Sequence, residues 1–344
     1  MVYKDIDIQR FEREVRRVFD AELASSGFDF LTCEQIRRKA KNYEPSFPDM
    51  VQVGVTNICN MSCPECYHRI YARSPIYHPI YMKLDLFKRI VDEVQTFPHE
   101  IVLRFLGRGE SLLHPDIFEM ISYSKSRLSG PIAIITNGHL LSEGRSRRLL
   151  DTKVDIVDIS VDAVTPNTYS SVRGNGFINL EENIKHLVKL RNERNSDTKI
   201  MVSFTMQMEN YTEAMTFKTR WTGIVDKVIF RKYHSYAGRI NEKPGIEEDR
   251  YPCAALWSRV NINEAGKITL CYVDWDETYI LADLNQAETT ILGTWRSAYN
   301  EPRNGHIKGK YPDLCRECKT GWEAAHWVLS YERAITIAQK SKVN

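Results

Sequence analysis

Seven of the eight cysteines in this sequence fall into two patterned groups. Cys59, Cys63 and Cys66 form a C-x3-C-x2-C run. Cys253 is followed by twelve residues, Gly266, four residues and Cys271, and much later by the pair Cys315-Arg-Glu-Cys318. Only Cys33 stands apart. Thiolate sulfur suits iron–sulfur clusters and zinc alike. Three thiolates within eight residues can wrap one polynuclear centre and leave one of its metal corners to an external ligand. A structural zinc site would instead recruit His68 as a fourth ligand, although closed zinc sites usually draw two short ligand pairs from separate places. Four thiolates, as in the second group, close a centre completely, and a zinc-ribbon-like site is the alternative there.

These residues need elements to position them. The three-cysteine run follows the first of six β-branched runs, expected as strands at 51–56, 101–106, 132–136, 156–161, 199–206 and 227–232. Amphipathic stretches near 84–96, 115–128, 142–151, 179–193 and 211–221 read as helices. The strand runs are nearly continuous in apolar residues, as parallel strands covered on both faces require. Six such units imply right-handed crossovers and an α/β fold, either an open doubly wound sheet or a barrel. Periodicity leaves both open. In α/β folds of either kind, cofactors bind at the carboxyl ends of the strands, where the cysteine run lies.

Residues 1–48 are expected to form a helical extension: Ile8, Phe11, Val15, Val18 and Phe19 recur at helical spacing, with Gly27 as a stop. The basic stretch 34–43 reads as a solvated helix face. After about residue 235 the character changes. Pro244, Gly245 and the run EEDR at 247–250 suggest a connection, followed by short strands at 258–263 and 267–273 and a last helix near 323–340. The expected domains are thus 1–48, 49–235 and 236–344.

Composition narrows the class. With 47 Lys+Arg against 45 Asp+Glu, the net charge of +2 gives no general case for nucleic acid or an anionic membrane as partner. At 42% hydrophobic and 27% charged, the 344-residue chain lies in the globular range. No apolar run approaches the 18 residues of a membrane span, and Asp5, Asp7, Glu12 and Glu14 argue against a transit peptide. The expected compartment is the cytoplasm, where thiols stay reduced and serve as ligands or catalysts.

A C-x3-C-x2-C run after the first strand of repeated βα units resembles the radical S-adenosylmethionine (SAM) enzymes. That resemblance implies a partial (β/α)6 TIM-like barrel and a four-iron cluster on Cys59, Cys63 and Cys66, whose open iron chelates SAM. It also implies one-electron cleavage of SAM to a 5′-deoxyadenosyl radical, with a flavodoxin- or ferredoxin-type electron donor. Leu106-Gly107-Arg108-Gly109-Glu110 resembles the family's Gly-Gly-Glu segment, so Gly109 and Glu110 are expected at the methionyl group. Thr136, Asn137, Ser160 and Asp162 end the third and fourth strands, where the family places polar groups for the cofactor. The family often has an aromatic residue before the third cysteine, for adenine. Here that residue is Glu65, and Tyr67 follows the cysteine instead. Ser111 stands where the family often has proline. The second cysteine group resembles the SPASM/twitch extension in its single-cluster form, an α+β domain that would hold a closed 4Fe–4S cluster on Cys253, Cys271, Cys315 and Cys318.

A fully ligated cluster is suited to moving electrons. The expected reaction is therefore dehydrogenation of a small polyol-type metabolite such as a sugar, aminocyclitol or nucleoside. Similar enzymes of the butirosin pathway oxidise an aminocyclitol. An epimerase would need a hydrogen donor, for which Cys33 alone remains. A sugar-acid decarboxylase needs none. Modification of a ribosomally made peptide is a further alternative, although leader-binding domains are longer than this extension. At the ends of strands five and six, Gln207, Arg231 and Lys232 are the candidate substrate contacts, with Tyr233 and His234 behind them. Arg231 is a poor base but can hold a carboxylate or phosphate. The stretch Tyr272-Val273-Asp274-Trp275-Asp276 is expected to pack around the second cluster.

Overall fold

The computed structural model describes residues 5–26, 38, 40–42, 44–240, 252–316 and 318. Cys33, Gly27, the 247–250 run and the expected terminal helix lie outside these residues. Nine strands form one sheet: β1 Met50–Val53, β2 Val102–Phe105, β3 Ile132–Thr136, β4 Ile156–Ser160, β5 Lys199–Met206, β6 Lys227–Lys232, β7 Arg259–Ile262, β8 Lys267–Thr269 and β9 Ile280–Asp283. The spatial order is β6-β5-β4-β3-β2-β1-β7-β8-β9. The first six strands are parallel and adjacent in chain order. A doubly wound sheet reverses its order among its βα units, and this one does not: from β1 to β6 each strand lies next to the one before it. It is the wall of a barrel, left open because β1 pairs with β7 and not with β6.

Helices at Leu84–Gln95, Ile117–Arg127, Glu143–Asp151, Phe177–Glu193 and Ala214–Trp221 return the chain between strands or over the sheet. Their apolar faces meet Val51, Val53, Leu103, Phe105, Val157, Ile159, Val202 and Phe204 in the main core. The opposite side chains of the same strands face the barrel interior. There Met50, Val102, Ala133, Ile156, Met201 and Ile229 form a separate apolar floor. Two residues further along their strands, on the same face, stand Gln52, Arg104, Ile135, Asp158, Ser203 and Arg231. The floor is greasy and the layer above it is polar. A charged residue within three of the apolar runs (Arg104 in VLRFL, Asp158 in IVDIS, Arg231 in VIFR) is the visible sign of this layer.

The helix Asp5–Ser26 buries Phe11, Val15, Val18 and Phe19. It packs on β6 and on the turn Tyr211–Glu213, with Phe11 edge-on to Tyr211. Shorter elements at Pro166–Val172, β9, Ile291–Arg296 and Asn300–Ile307 had no counterpart in the sequence reading. Among the described residues no helix is long and apolar enough to cross a membrane.

The carboxy-terminal segment is tied to the barrel at several points. β7 continues the ladder beyond β1. The Glu93 carboxylate accepts from the Ile291 and Leu292 amides at 3.0 and 2.9 Å. The Trp295 indole donates to the Pro45 carbonyl at 2.8 Å. Most deeply, Arg108 pairs with Glu264 and Glu277 and donates to the Trp275 carbonyl at 2.6 Å. Glu264 is nearly inaccessible. Removing one partner of such a buried pair strands the other charge, at a cost of about 3–5 kcal/mol. Arg108→Leu should therefore lower the free energy of unfolding by about that amount in urea titrations, whereas Arg127→Leu, in an exposed pair with Asp92, should change it by less than about 1 kcal/mol.

Candidate iron–sulfur and cofactor site

The three-cysteine loop leaves the carboxyl end of β1 and folds over the barrel mouth. Its start is pinned by the Glu110 amide, which donates to the Ile58 carbonyl at 2.8 Å. Gly109 makes that approach possible. A Cβ there would overlap the Ile58 carbonyl and lie 2.7 Å from the Asn57 carbonyl carbon. The loop closes with the Cys66 amide donating to Cys63 at 3.1 Å. Cys59, Cys63 and Cys66 all line one cavity of about 1090 Å³, counting open solvent at its mouth. Burial pushes their thiols up, Cys59 to about 12, and Cys66 adds to the rise at Cys59 and Cys63.

Around this trio the walls come from strand ends. Gly109, Glu110, Thr136, Asn137 and Ser160 line the same cavity. Glu110 is held rigidly, accepting from the Leu112 amide at 3.0 Å, the Thr136 hydroxyl at 2.8 Å and the Asn137 amide at 2.7 Å. Burial raises its pKa against the pull of those donors. Asn137 also donates to Asn60 in the cysteine loop at 2.8 Å.

Two expected cofactor contacts are placed elsewhere. Tyr67 does not line the cavity. Its hydroxyl donates to Asp276 at 3.1 Å, and its ring packs on Trp275 and Tyr236. The four-residue helix His68–Tyr71 turns it that way. Asp162 also stays behind the wall. It is fully buried, adopts a left-handed backbone (φ +62°), and binds Arg173 and the Thr205 amide. Arg173 takes the cavity position instead, bridging Asp162 to Glu65, 3.0 Å away. Gln207 is likewise used internally, donating to Glu65. Burial, aided by the Asp162 charge, pushes Glu65 up to about 8 against the pull of Arg173.

Arg231 and Lys232 do reach the cavity. Arg231 is locked to the buried Asp158, and Lys232 sits 5.3 Å from the Phe19 ring of the amino-terminal helix. The sequence reading missed Arg104, Arg173, Thr205 and Tyr236, all of which line the wall. Tyr272 and Trp275 line it too, so the 272–276 stretch, expected to pack around the second cysteine group, also contributes to the cavity.

The second group gathers away from this cavity. Cys253 precedes the short helix Ala255–Ser258, Cys271 follows β8, and Cys315 lies in the helix Asp313–Arg316. The Cys318 amide donates to Cys315 at 3.1 Å. Burial pushes Cys253 up to about 11 and Cys271 far above the ordinary thiol value, with the remaining members of the group adding to it. All seven thiols are free of disulfides. Among the described residues no three Cys, His, Asp or Glu side chains close around a single ion. A zinc site would bring its sulfurs to about 4 Å from one another, given Zn–S near 2.3 Å. His68, the fourth ligand that a zinc reading needs, instead engages the Asn57 carbonyl through Nε2 at 3.0 Å. Two all-sulfur sets, one lining the cavity and one outside it, fit iron–sulfur centres.

Two outcomes follow. Gly109→Ala should push the Ile58 backbone out of place and reduce the iron bound after anaerobic reconstitution by at least half, while Gly144→Ala, where an added Cβ meets nothing, leaves it unchanged. The second concerns His114, just beyond Glu110. Its Nδ1 accepts from the Asp116 amide at 3.0 Å, which leaves Nε2 to donate to Met82 at 2.9 Å. Burial lowers its pKa, so the unfolded chain takes up the proton first as pH falls below about 6.5. The stability gained from the neutral ring is complete above that value and declines as pH drops towards the lowered native value. Denaturation midpoints measured from pH 7.5 to 5.5 should fall less steeply in His114→Gln.

Comparison with known proteins agrees with this geometry. Residues 53–217 match the radical SAM superfamily, and residues 253–319 match the SPASM iron–sulfur cluster-binding domain. The "Tungsten-containing aldehyde ferredoxin oxidoreductase cofactor-modifying protein" of Pyrococcus furiosus is 30% identical over 161 residues, 46% of this chain and 44% of that protein. The "S-adenosylmethionine-dependent nucleotide dehydratase" of Selenomonas ruminantium is 25% identical over 170 residues, 48% of this chain and 59% of that protein. The chain thus spans less than two thirds of either curated relative. Among solved structures, BtrN in complex with AdoMet and 2-DOIA superposes with a TM-score of 0.56 at 15% identity, covering 80% of this chain and 94% of that one. Streptococcus suis SuiB bound to precursor peptide SuiA gives 0.62 at 14% identity, covering 90% and 82%. At these identities the likeness is one of fold. The chain belongs to the radical SAM superfamily and carries a carboxy-terminal SPASM domain.

Proposed function

We propose that this radical SAM enzyme is an oxidoreductase that dehydrogenates a small polyol-type metabolite. The observation that carries the reading is the contrast between the two thiol sets. Cys59, Cys63 and Cys66 line the cavity, whereas Cys253, Cys271, Cys315 and Cys318 gather away from it. The first set would hold a 4Fe–4S centre with one iron open to SAM, and the second a closed 4Fe–4S centre that takes electrons. When bound, the first centre and SAM supply a 5′-deoxyadenosyl radical for hydrogen abstraction.

The protein's own groups prepare that chemistry. Glu110, fixed by three donors, presents a rigid carboxylate to the methionyl ammonium, and Asn137 and Ser160 offer polar contacts beside it. Arg173 places a permanent positive charge beside Cys63 and Glu65. Arg231 is held by Asp158, and a guanidinium is a poor base, so its part is to shape and charge the wall, not to take a proton. Oxidation of a carbinol removes a hydrogen atom, which goes to the 5′-deoxyadenosyl radical, a proton, which goes to water at the open mouth of the cavity, and an electron. The second cysteine set gives the electron a destination inside the same chain. Reduction of the first centre falls to a flavodoxin- or ferredoxin-type donor. The division at residues 49–235 for the barrel and 236–344 for the auxiliary domain belongs to the same proposal.

Anaerobic reconstitution should yield about eight irons per chain, four for each centre. With a reductant the protein should form 5′-deoxyadenosine from SAM. Deuterium should pass from one of a panel of carbon-deuterated sugars, aminocyclitols and nucleosides into that product, with a ketone formed in equal amount. Zinc without iron would end the enzymatic reading, and deuterium transfer without ketone would point to an epimerase or decarboxylase.

A further inference from the structure

Two ring nitrogens in the cavity wall are buried without a hydrogen-bond partner: Nδ1 of His234 and Nε1 of Trp275. Leaving one such group unsatisfied costs about 1–3 kcal/mol, and native structures seldom do so without a ligand or water to complete it. The two residues come from separate segments, one just beyond β6 and one just beyond Cys271. Both pack against the Tyr236 ring, with centroid separations of 4.3 Å for His234 and 5.7 Å for Trp275. Each ring is fixed by its other contacts. His234 Nε2 meets the Tyr272 hydroxyl at 3.1 Å. Trp275 is gripped edge-on by Tyr71 and Tyr67 and is 4% exposed. The packing therefore uses the rings but leaves these two atoms to something else.

Their chemistry narrows what that is. Burial lowers the His234 pKa to about 4, so the ring is neutral near pH 7. A neutral imidazole whose Nε2 faces a hydroxyl shows at Nδ1 either an N–H or a lone pair. Indole shows an N–H only. A hydroxyl answers both, since it donates and accepts. A carboxylate or phosphate cannot donate, and two neutral rings offer it no charge.

We propose that His234 Nδ1 and Trp275 Nε1 are substrate contacts, and that they receive hydroxyl groups of a neutral polyhydroxylated ring. The proposal deepens the polyol reading above and rests on it. Both residues touch substrate rather than SAM, and the auxiliary domain thereby supplies part of the substrate wall.

The test uses the full chain, reconstituted anaerobically and saturated with SAM. Calorimetric titrations with myo-inositol, scyllo-inositol and myo-inositol 1-phosphate report binding. One of the two uncharged probes, myo-inositol or scyllo-inositol, should bind more tightly than the phosphate. Trp275→Phe keeps the ring contacts and removes only the N–H, and it should weaken that binding at least tenfold. His234→Gln keeps a polar atom near Nε2 for Tyr272 and loses the one at Nδ1, so it should weaken binding to a similar degree. His234→Asn keeps a polar atom near Nδ1 and should restore most of the affinity. A merely structural role through Tyr272 predicts the reverse order for Gln and Asn. SAM affinity, measured by equilibrium dialysis, should stay within twofold in all three variants, with iron content and circular dichroism as in the parent.

Tighter binding of the phosphate, binding of none of the probes, or unaltered binding in Trp275→Phe and His234→Gln would overturn the proposal. So would loss of SAM affinity in its place, which would assign the two nitrogens to the cofactor. Formation of 5′-deoxyadenosine by the parent protein is scored separately. If it persists while the probes fail, this inference falls and the radical SAM assignment stands; if it is absent, the underlying reading falls too.

Discussion

Everything at the barrel mouth depends on the backbone ladder through β1. That strand is hydrogen-bonded to β2 on one side and to β7 on the other, and all four of its residues are buried. The cysteine loop leaves its carboxyl end, so the loop starts from a strand that cannot shift. The Glu110 amide and the close approach of Gly109 then fix the loop against the β2 turn. On the other flank, Arg108 from that same turn reaches Glu264, Glu277 and the Trp275 carbonyl of the auxiliary segment. One strand and one arginine thus set the cysteine loop, the Glu110 carboxylate and the auxiliary wall in a common frame.

Within that frame the interior is graded. An apolar floor supplies the burial that stabilises the barrel, and above it stand buried ion pairs. Asp158 holds Arg231, and Asp162 with Glu65 holds Arg173. Such pairs add little net stability, but they fix guanidinium groups at set points on the wall. The left-handed Asp162 is a local cost of that arrangement. It is offset by the Thr205 amide and the Arg173 guanidinium, both bound by the same carboxylate.

Much of this was legible in the residues. Five of the six parallel strands fall within one residue of their expected bounds and β1 ends three residues early, because buried parallel strands write themselves as apolar runs. The thiol spacing pointed to two separate cysteine sets, and the Gly-Arg-Gly-Glu segment pointed to a carboxylate beside the first. What failed was direction. Tyr67 follows a cysteine ligand, yet a single helical turn swings it towards Asp276, more than two hundred residues away in sequence. Asp162 ends its strand as expected but faces back to Arg173, whose partner role no local pattern announces. Gln207 was expected at the substrate and is consumed by Glu65, the residue that stands where an aromatic is common. β9 and the helices at 166–172, 291–296 and 300–307 are too short to give a periodic signal. The wall of Tyr236, Tyr272 and Trp275 is assembled by tertiary contact alone.

The placement of β7 beside β1 has a consequence for anyone dividing this protein. A fragment ending before residue 252 would expose the amide and carbonyl row of β1 along a strand whose four side chains, Met50 to Val53, are all interior. Bare edges of that kind invite pairing with another chain and precipitation. The barrel is therefore not a portable module, and a graft or chimera that keeps its solubility must carry the β7–β9 hairpin strands with it.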